Sequence, residues 1–275
     1  MSRDRIYSST IMIILTVGAI LNKWIFLFVL LALTTGGLYE FFYLLKKKGI
    51  PIYSYTGIAI GLLIPLSIFL GFELTNKWEL HFMVILLLLI FLLQLIRRDN
   101  ANAVVGISTT LFGILYVSWF FSFLIKIRFF MPEIPNVGIK LLAFILLVTK
   151  SGDIGALLIG SRFGRHPLLP RVSPNKTVEG CIGSFGFSIL AAILGYNLIP
   201  EQFHFSFMHV ALMGGFFGGL GQLGDLSESL IKRDFNVKDS GKMLPALGGA
   251  LDAIDSVLFA APVFYFYISS VLPLN

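Results

Sequence analysis

Residues 224–233, 238–241 and 248–255 read GDLSESLIKR, KDSG and GGALDAID, and the segments on either side of this stretch are apolar enough to lie in a bilayer. The three pieces contain four aspartates: Asp225, Asp239, Asp252 and Asp255. A carboxylate among apolar helices is unfavourable unless it binds something. Acids beside lysine, arginine and glycine are typical of a divalent metal that is bound together with a phosphate. The stretch therefore predicts membrane helices that enclose a polar site.

The composition of the whole chain indicates the same fold class. Of the 275 residues, 56% are hydrophobic and only 13% are charged, whereas a soluble domain is closer to about 25% charged. The mean hydropathy is +0.87, and most stretches of about twenty residues are apolar enough to cross a membrane. We therefore predict an all-α polytopic membrane protein. The single cysteine, Cys181, excludes an intramolecular disulfide and a cysteine-rich metal site.

The apolar segments predict about nine transmembrane helices. Their approximate ranges are 7–22, 24–45, 52–72, 79–96, 103–125, 137–160, 178–199, 206–231 and 246–272. We group residues 1–136 as N-terminal transmembrane helices and residues 137–275 as a C-terminal catalytic transmembrane region, the two forming one integral membrane unit. The longest polar loops, 161–177 and 232–245, are where we expect a charged, soluble substrate to be handled.

The basic residues indicate how the chain crosses the membrane. If the odd-numbered spans leave the cytoplasm, most of the 21 lysines and arginines fall in cytoplasmic segments, as the positive-inside rule requires. Because these bases sit in short loops between apolar spans, the net charge of +6 indicates topology and contact with anionic lipid, and not binding of nucleic acid. We expect an uncleaved first span and a multi-pass protein of the cell inner membrane. Its polar cavity, built by the C-terminal helices, would face the cytoplasm.

Helical spacing brings the polar residues of the opening stretch together. Asp225, Ser229 and Lys232 stand at i, i+4 and i+7, so they share one helix face. On the next helix, Asp252 and Asp255 share a face at i, i+3. The glycine pair before that helix lets backbone N–H groups approach a phosphate. Since Asp225 and Asp252 come from two helices, they can clamp a divalent ion such as Mg²⁺.

The same acids have other interpretations. Asp239 lies beside basic residues in a polar loop. There we expect an ion pair that only stabilises the loop as much as we expect a functional role. Asp225, Asp252 and Asp255 are flanked by apolar helix, which favours a bound ligand. A buried acid can also relay protons or cations in a transporter.

A second polar cluster precedes the seventh span. Its candidate ligand-binding residues are Asp153, Arg171, Ser173, Lys176, Thr177 and Glu179. Ser173 or Asn175 fits the N-cap of a helix, with Glu179 stabilising the first turn. A helix cap explains why Glu179 stands at this position, but it explains the presence of Arg171 and Lys176 less well.

The bases of this cluster indicate a ligand. Arg171, Lys176 and Thr177 together resemble a triphosphate-binding patch, because they combine two cations with a hydroxyl donor. Lys150 and Asp153 stand one helical turn apart. They either pair with each other or leave Asp153 facing the polar cavity.

Other polar residues carry weaker signals. Glu40 lies near the end of the second predicted span, and exposure at the membrane interface and a functional role are equally open for it. The four histidines lack the spacing of metal ligands.

Two spaced motifs resemble a known family. Residues 229–255 follow the pattern S-x2-KR-x4-KD-x-G-x2-LP-x2-GG-x2-D-x-ID, which resembles the signature of phosphatidate cytidylyltransferases, also called CDP-diacylglycerol synthases. Residues 160–180, with GxRFG followed by SPNKTVEG, are similar to the same family. Chain length and span number agree with the resemblance, although the specific motifs lie within residues 150–256.

The chain departs from the family pattern at two positions. Leu247 stands where the family usually has a histidine before the glycine pair, and Ala253 stands where it usually has an arginine. The departures leave substrate preference open and do not remove the aspartates.

The resemblance implies a reaction of phosphatidic acid with CTP that yields CDP-diacylglycerol and pyrophosphate in phospholipid biosynthesis. The catalytic residues that it implies are Asp225, Ser229, Lys232, Arg233, Lys238, Asp239, Asp252 and Asp255. Asp225 and Asp252 would bind Mg²⁺, with K⁺ beside it as an open alternative. Lys232, Arg233 and Lys238 would hold phosphates.

The resemblance also implies partners, and it leaves alternatives open. Arg171, Lys176 and Thr177 would bind CTP, while the acyl chains of phosphatidic acid would enter from the lipid bilayer. A homodimer is left open. The alternatives are a CTP-dependent transferase or kinase acting on another lipid, and a cation- or proton-coupled transporter.

Overall fold

The computed structural model describes residues 3–71, 78–97, 101–241 and 248–272, most of which are helical. The helices are α1 (Arg3–Leu21), α2 (Lys23–Lys47), α3 (Ser54–Phe69), α4 (Trp78–Ile96), α5 (Ala103–Gly113), α6 (Phe120–Arg128), α7 (Val137–Phe163), α8 (Val178–Leu194), α9 (Phe207–Asp234) and α10 (Ala250–Val271). A π-helical turn, Ile114–Trp119, joins α5 to α6. Two 3₁₀ turns, Tyr196–Leu198 and Glu201–Phe203, lie between α8 and α9.

The helices correspond to the predicted spans. Because α5, the π-helical turn and α6 run without a break, the described ranges contain nine continuous helical segments, one for each predicted span. The segments that are long and apolar enough to cross a membrane are Lys23–Lys47, Ala103–Arg128, Val137–Phe163 and Ala250–Val271. Shorter apolar helices lie within α1, α3, α4 and α8. The prediction of an all-α polytopic membrane protein is confirmed.

The outward-facing side chains explain why these helices suit a bilayer. Leu157, Leu194 and Leu212 are largely exposed, as are many other large apolar residues. In hydrocarbon such a surface is favourable, and a helix satisfies its backbone N–H and C=O groups internally.

A short β-hairpin occupies the predicted polar loop 161–177. Strand β1 (Pro167–Leu169) pairs antiparallel with β2 (Ser173–Thr177), with Pro167 opposite Thr177 and Leu169 opposite Ser173. The second strand leads directly into α8, so the hairpin holds the end of β2 at the start of that helix.

The chain forms two compact units. One consists of residues 1–19, 23–122 and 239–251, as far as these are described, and the other of residues 20–22, 123–238 and 252–275. In the first unit, α2, α3 and the π-helical turn pack together, and the Ser118 hydroxyl donates a hydrogen bond to the carbonyl of Gly61. The second unit is built mainly from α7, α8, α9 and α10.

Small residues let α7 and α8 pack closely in the second unit. The Ser188 hydroxyl on α8 donates to the carbonyl oxygen of Val148 on α7 at 3.1 Å. A Cβ placed on Gly183 would lie 2.8 Å from the carbonyl oxygen of Gly155 and would also overlap the Ile159 side chain. Close backbone approach of this kind is the usual basis of helix association in membranes.

Gly183→Ala should destabilise the protein, while Gly186→Ala on the same helix should not. A Cβ on Gly186 meets nothing within 4 Å, whereas overpacking at Gly183 should cost about 1–3 kcal/mol. Thermal unfolding of both variants in detergent measures the difference. Equal melting temperatures for the two variants would contradict close packing of α7 on α8.

Candidate active site

A polar cavity of about 420 Å³ lies among α7, β2, α8, α9 and α10. Its polar lining consists of Asp153, Ser161, Asn175, Lys176, Thr177, Gln222, Asp225, Asp252 and Asp255. All of these residues belong to the second unit. The two polar clusters of the sequence, which are about fifty residues apart, therefore contribute to one cavity.

A close approach of α9 and α10 brings their carboxylates together. Gly224 on α9 lies against the backbone of α10, and a Cβ there would overlap the carbonyl oxygen of Asp255. Asp225 follows Gly224 directly, so its side chain begins where the two helices are closest. A larger residue at position 224 would separate the two aspartates.

Three carboxylates converge at this point. Oxygen atoms of Asp225, Glu228 and Asp255 all lie within 4.8 Å of one another. Glu228 is fully buried and Asp255 is 8% exposed. Like charges this close disfavour one another unless positive charge lies among them, and an all-oxygen donor set is the kind that Mg²⁺ or Ca²⁺ binds.

Glu228 was absent from the residues predicted for the site. One of its oxygens pairs with Lys232, and the other, Oε1, has no hydrogen-bond partner within the described part of the chain. An unsatisfied buried carboxylate oxygen is rare, so this atom is available to a ligand. The signal that identifies Glu228 is its spacing, because it stands three residues after Asp225 on the same helix face.

Asp252, predicted as a metal ligand with Asp225, is engaged by a lysine. Lys232 Nζ lies 2.5 Å from Asp252 Oδ1, and both side chains are 12% exposed. The same ammonium group pairs with Glu228. Lys232 thus joins α9 to α10 and places one positive charge between two acids.

Lys176 brings the β-hairpin to the carboxylates. Its Nζ lies 2.6 Å from Asp225 Oδ2.

The next residue, Thr177, is the N-cap of α8, since its hydroxyl accepts a hydrogen bond from Gly180 N at 3.1 Å. The interpretation of Ser173 or Asn175 as the N-cap was wrong, because both residues lie on β2 and the helix begins after Thr177.

Lys150 and Asp153 pair, and Asp153 also lines the cavity. Lys150 Nζ lies 3.2 Å from Asp153 Oδ2 and donates to Ser256 Oγ at 2.9 Å and to the carbonyl oxygen of Ala253 at 3.1 Å. Ser256 Oγ in turn donates to Asp153 Oδ2 at 2.9 Å. These bonds join α7 to α10 beside the cavity. The sequence left open whether Asp153 pairs with Lys150 or faces the cavity, and in the structure it does both.

Glu179 binds the chain itself. Its Oε2 accepts hydrogen bonds from the backbone N–H groups of Arg165 and His166 at 3.0 and 3.3 Å, and its Oε1 lies 2.6 Å from His166 Nδ1. The carboxylate therefore ties the turn before β1 to the first turn of α8.

The remaining predicted residues are not part of the cavity lining, and one of them donates hydrogen bonds to backbone carbonyl groups. Arg233 donates to the carbonyl oxygens of Val172 and Val237 at 3.1 and 3.2 Å, which fixes the hairpin turn against the end of α9. Ser229 is buried on α9. Exposed positions are occupied by Arg171, in the hairpin turn, and by Lys238 and Asp239, after α9. Leu247, one of the two departures from the motif, lies outside the described residues.

An apolar groove of about 560 Å³ adjoins the polar cavity. It is lined by apolar side chains of β1, α8 and α9, among them Leu169, Phe185 and Leu223. Cys181 and Gln222 line both spaces. The second unit thus presents a charged site and an apolar site side by side.

Comparisons with known proteins show sequence similarity over most of the chain. A family model described as the cytidylyltransferase family matches residues 3–271. A phosphatidate cytidylyltransferase of Bacillus subtilis (strain 168) is 32% identical over 257 residues, which is 91% of this chain and 91% of that protein. One from Synechocystis is 32% identical over 99% of this chain and 98% of its own length. One from Chlamydia pneumoniae is 31% identical over 84% of this chain and 78% of its own length.

Thr177→Ala should lower stability by about 1 kcal/mol, because it removes the N-cap of α8. Ser173→Ala, on the same strand, should leave stability nearly unchanged. Thermal unfolding of the two variants in detergent, compared with the unaltered protein, provides the measurement. A larger loss for Ser173→Ala would contradict the assignment of Thr177 as the cap.

Proposed function

The chain belongs to the cytidylyltransferase family, and we propose that it transfers the cytidylyl group of CTP to phosphatidic acid. The products would be CDP-diacylglycerol, which stays in the bilayer, and pyrophosphate. The observation that carries this proposal is the shared wall of a charged cavity and an apolar groove, lined on both sides by Cys181 and Gln222. A reaction between a soluble triphosphate and a membrane lipid needs such a pair of adjoining sites.

The polar cavity suits the triphosphate. Lys176 and Thr177 of the hairpin line it, and Lys232 pairs with Asp252, which also lines it. Two lysines attract the negative charge of the phosphates, and the hydroxyl of Thr177 is a further polar contact. We therefore place the phosphates of CTP between β2 and the N-terminal part of α10.

The apolar groove suits an acyl chain of the lipid. Its lining includes Leu168, Phe185, Phe216 and Leu223, and its exposed polar surface is negligible. Because the groove adjoins the cavity, a lipid lying in it would present its phosphate to the cavity from the bilayer side. The acyl chains of the lipid would then stay in an apolar environment and CTP in a polar one, while their phosphates come together in the cavity.

The reaction requires placement and charge compensation more than a base. An oxygen of the lipid phosphate forms a bond to the α-phosphorus of CTP, and the bond from that phosphorus to the oxygen bridging to the β-phosphorus breaks. The lipid phosphate is already an anion near neutral pH, since the second pKa of a phosphomonoester is about 6. What the chain must supply is relief of repulsion between two anions and in-line alignment. Lys176 and Lys232 are placed to provide the positive charge.

The carboxylate cluster fits Mg²⁺. Asp225, Glu228 and Asp255 would hold the ion, because their oxygens converge and Glu228 Oε1 is buried without a partner in the described ranges. When bound, Mg²⁺ would neutralise charge on the reacting phosphates and on the leaving pyrophosphate. Asp252 would position Lys232 instead of binding the ion, which differs from the pair that the motif suggests.

We place the protein in the cell inner membrane with the cavity open to the cytoplasm. Arg162, Arg165 and Arg171 are exposed at the end of α7, before β1 and in the hairpin turn, and β2 of the same hairpin lines the cavity. Positive charge in such loops favours the cytoplasmic side, where CTP would reach the cavity.

Purified protein in mixed micelles, given phosphatidic acid, labelled CTP and Mg²⁺, should form CDP-diacylglycerol and pyrophosphate in equal amounts. Glu228→Gln should lower the rate at least about 10-fold, since it removes a charged ligand of the metal. Glu201→Gln, at an exposed acid between α8 and α9, is the matched control and should keep full activity. EDTA should abolish product formation and added Mg²⁺ should restore it.

Each arm of this assay has a distinct adverse outcome. Folded protein that forms no CDP-lipid would contradict phosphatidic acid as the substrate and favour another lipid or transport. Full activity of Glu228→Gln would contradict the proposed ligand set, and activity in excess EDTA would contradict the need for a divalent ion.

Leu223→Trp should raise the KM for phosphatidic acid at least about 5-fold and leave the KM for CTP unchanged, because the indole fills the groove and not the cavity. Leu212→Trp is the matched control, since Leu212 is also an exposed leucine of α9 but does not line the groove. Equal KM values for phosphatidic acid in the two variants would contradict the acyl-chain assignment.

A further inference from the structure

Glu40 is a buried carboxylate in the first unit that has no part in the cavity chemistry described above. It lies on α2, one of the long apolar helices, and is only 5% exposed. A buried carboxylate at such a position is unfavourable unless it is fully hydrogen-bonded. The sequence left its role open between interface exposure and function. Its contacts exclude interface exposure.

The partners of Glu40 are the first turn of α10 and the segment before it. Oε1 accepts a hydrogen bond from the backbone N–H of Ala250 at 3.0 Å. Oε2 accepts one from the backbone N–H of Leu251 at 3.0 Å and one from the Ser240 hydroxyl at 2.9 Å. All four residues belong to the first unit. One carboxylate on α2 thus binds residues that come at least two hundred positions later in the chain.

These contacts make Glu40 the N-terminal cap of α10. The first N–H groups of a helix lack partners within the helix and are usually satisfied by a local side chain. The residue before α10 is Gly249, which has no side chain to offer. A negative charge at this end also interacts favourably with the helix dipole. The cap therefore comes from α2 and not from the local sequence.

The glycines of the motif provide a second, independent observation. A Cβ on Gly249 would overlap the Glu40 carboxylate and the Ser240 hydroxyl, and a Cβ on Gly241 would overlap the same carboxylate. A side chain at either position would push the Glu40 carboxylate away from its hydrogen-bond partners, so the two glycines leave room for it. Gly248 has a φ of +97°, which also favours glycine, so the turn into α10 is shaped around this contact.

We propose that Glu40 is a positioning residue for the transfer reaction, acting through the first turn of α10. Asp252 directly follows Leu251 in that turn, and Asp255 follows one turn later. Both aspartates line the cavity. A rigid first turn fixes the direction in which they leave the helix, so loss of the cap should misplace them without removing any group that touches substrate. The inference rests on the proposed function.

The experiment compares Glu40→Gln, Glu40→Ala and Ser240→Ala with Glu201→Gln as the control. Glu40→Gln preserves the shape of the side chain but leaves only one acceptor oxygen, so it should disturb folding less than Glu40→Ala. We expect kcat to fall about 10-fold for Glu40→Gln and about 100-fold for Glu40→Ala, because small misplacements of reacting groups have effects of that size. The KM for CTP should change less than about 3-fold, since the groups that contact CTP remain. Ser240→Ala, which keeps both backbone bonds to Glu40, should have the smallest effect.

Amide hydrogen exchange on the same samples separates positioning from general instability. Exchange should become faster in the peptide that covers residues 248–256 of the Glu40 variants and stay unchanged in α7 and α8. Unaltered kcat in both Glu40 variants would overturn the proposal. So would a loss of kcat in Glu40→Gln that is accompanied by faster exchange throughout the protein. If the unaltered protein forms no CDP-lipid, the proposed function fails and the catalytic role of Glu40 fails with it, whereas exchange at residues 248–256 still decides whether Glu40 caps α10.

Discussion

The compensation of buried carboxylates is the constraint on which the rest of this structure depends. Asp225, Glu228 and Asp255 lie together between apolar helices, where uncompensated negative charge is very unfavourable. Lys232 supplies positive charge from the same helix, and Lys176 supplies it from the hairpin. The proposed Mg²⁺ and the substrate phosphates would complete this balance. A cluster of this kind is unfavourable without positively charged partners, which is why we place the metal ion there.

Close helix packing is what allows the charges to converge. Gly224 brings α9 against α10 at the level of Asp255, and Gly183 does the same for α8 against α7. Without these small residues the helices would be held apart by their side chains, and the carboxylates would lie farther from one another. The same helices leave a gap lined by apolar side chains next to the charged cavity. Packing by small residues thus creates both halves of a site for one soluble and one lipid substrate.

The sequence predicted the helices well because their signal is local. A run of about twenty apolar residues has few alternatives to a membrane helix, and each of the nine predicted spans corresponds to a helical segment in the described ranges. The N-cap of α8 was misplaced because several hydroxyl and amide side chains precede that helix, and only the backbone path shows that β2 continues to Thr177. Glu228 was missed because serines surround it and its burial is not visible in the sequence.

The sequence by itself determined the fold class and the number of continuous helical segments in the described ranges, since both follow from hydropathy. It also indicated the family and the two parts of the chain that contribute to the site, through motifs that resemble those of a known family. The tertiary structure decided which charges meet. It paired Asp252 with Lys232 and grouped Glu228 with Asp225 and Asp255, because helix spacing defines a face but not the neighbour that the face contacts. It also gave α10 a cap from Glu40, which is about two hundred residues earlier in the chain. Such contacts depend on how distant helices pack, and no local pattern of residues encodes that.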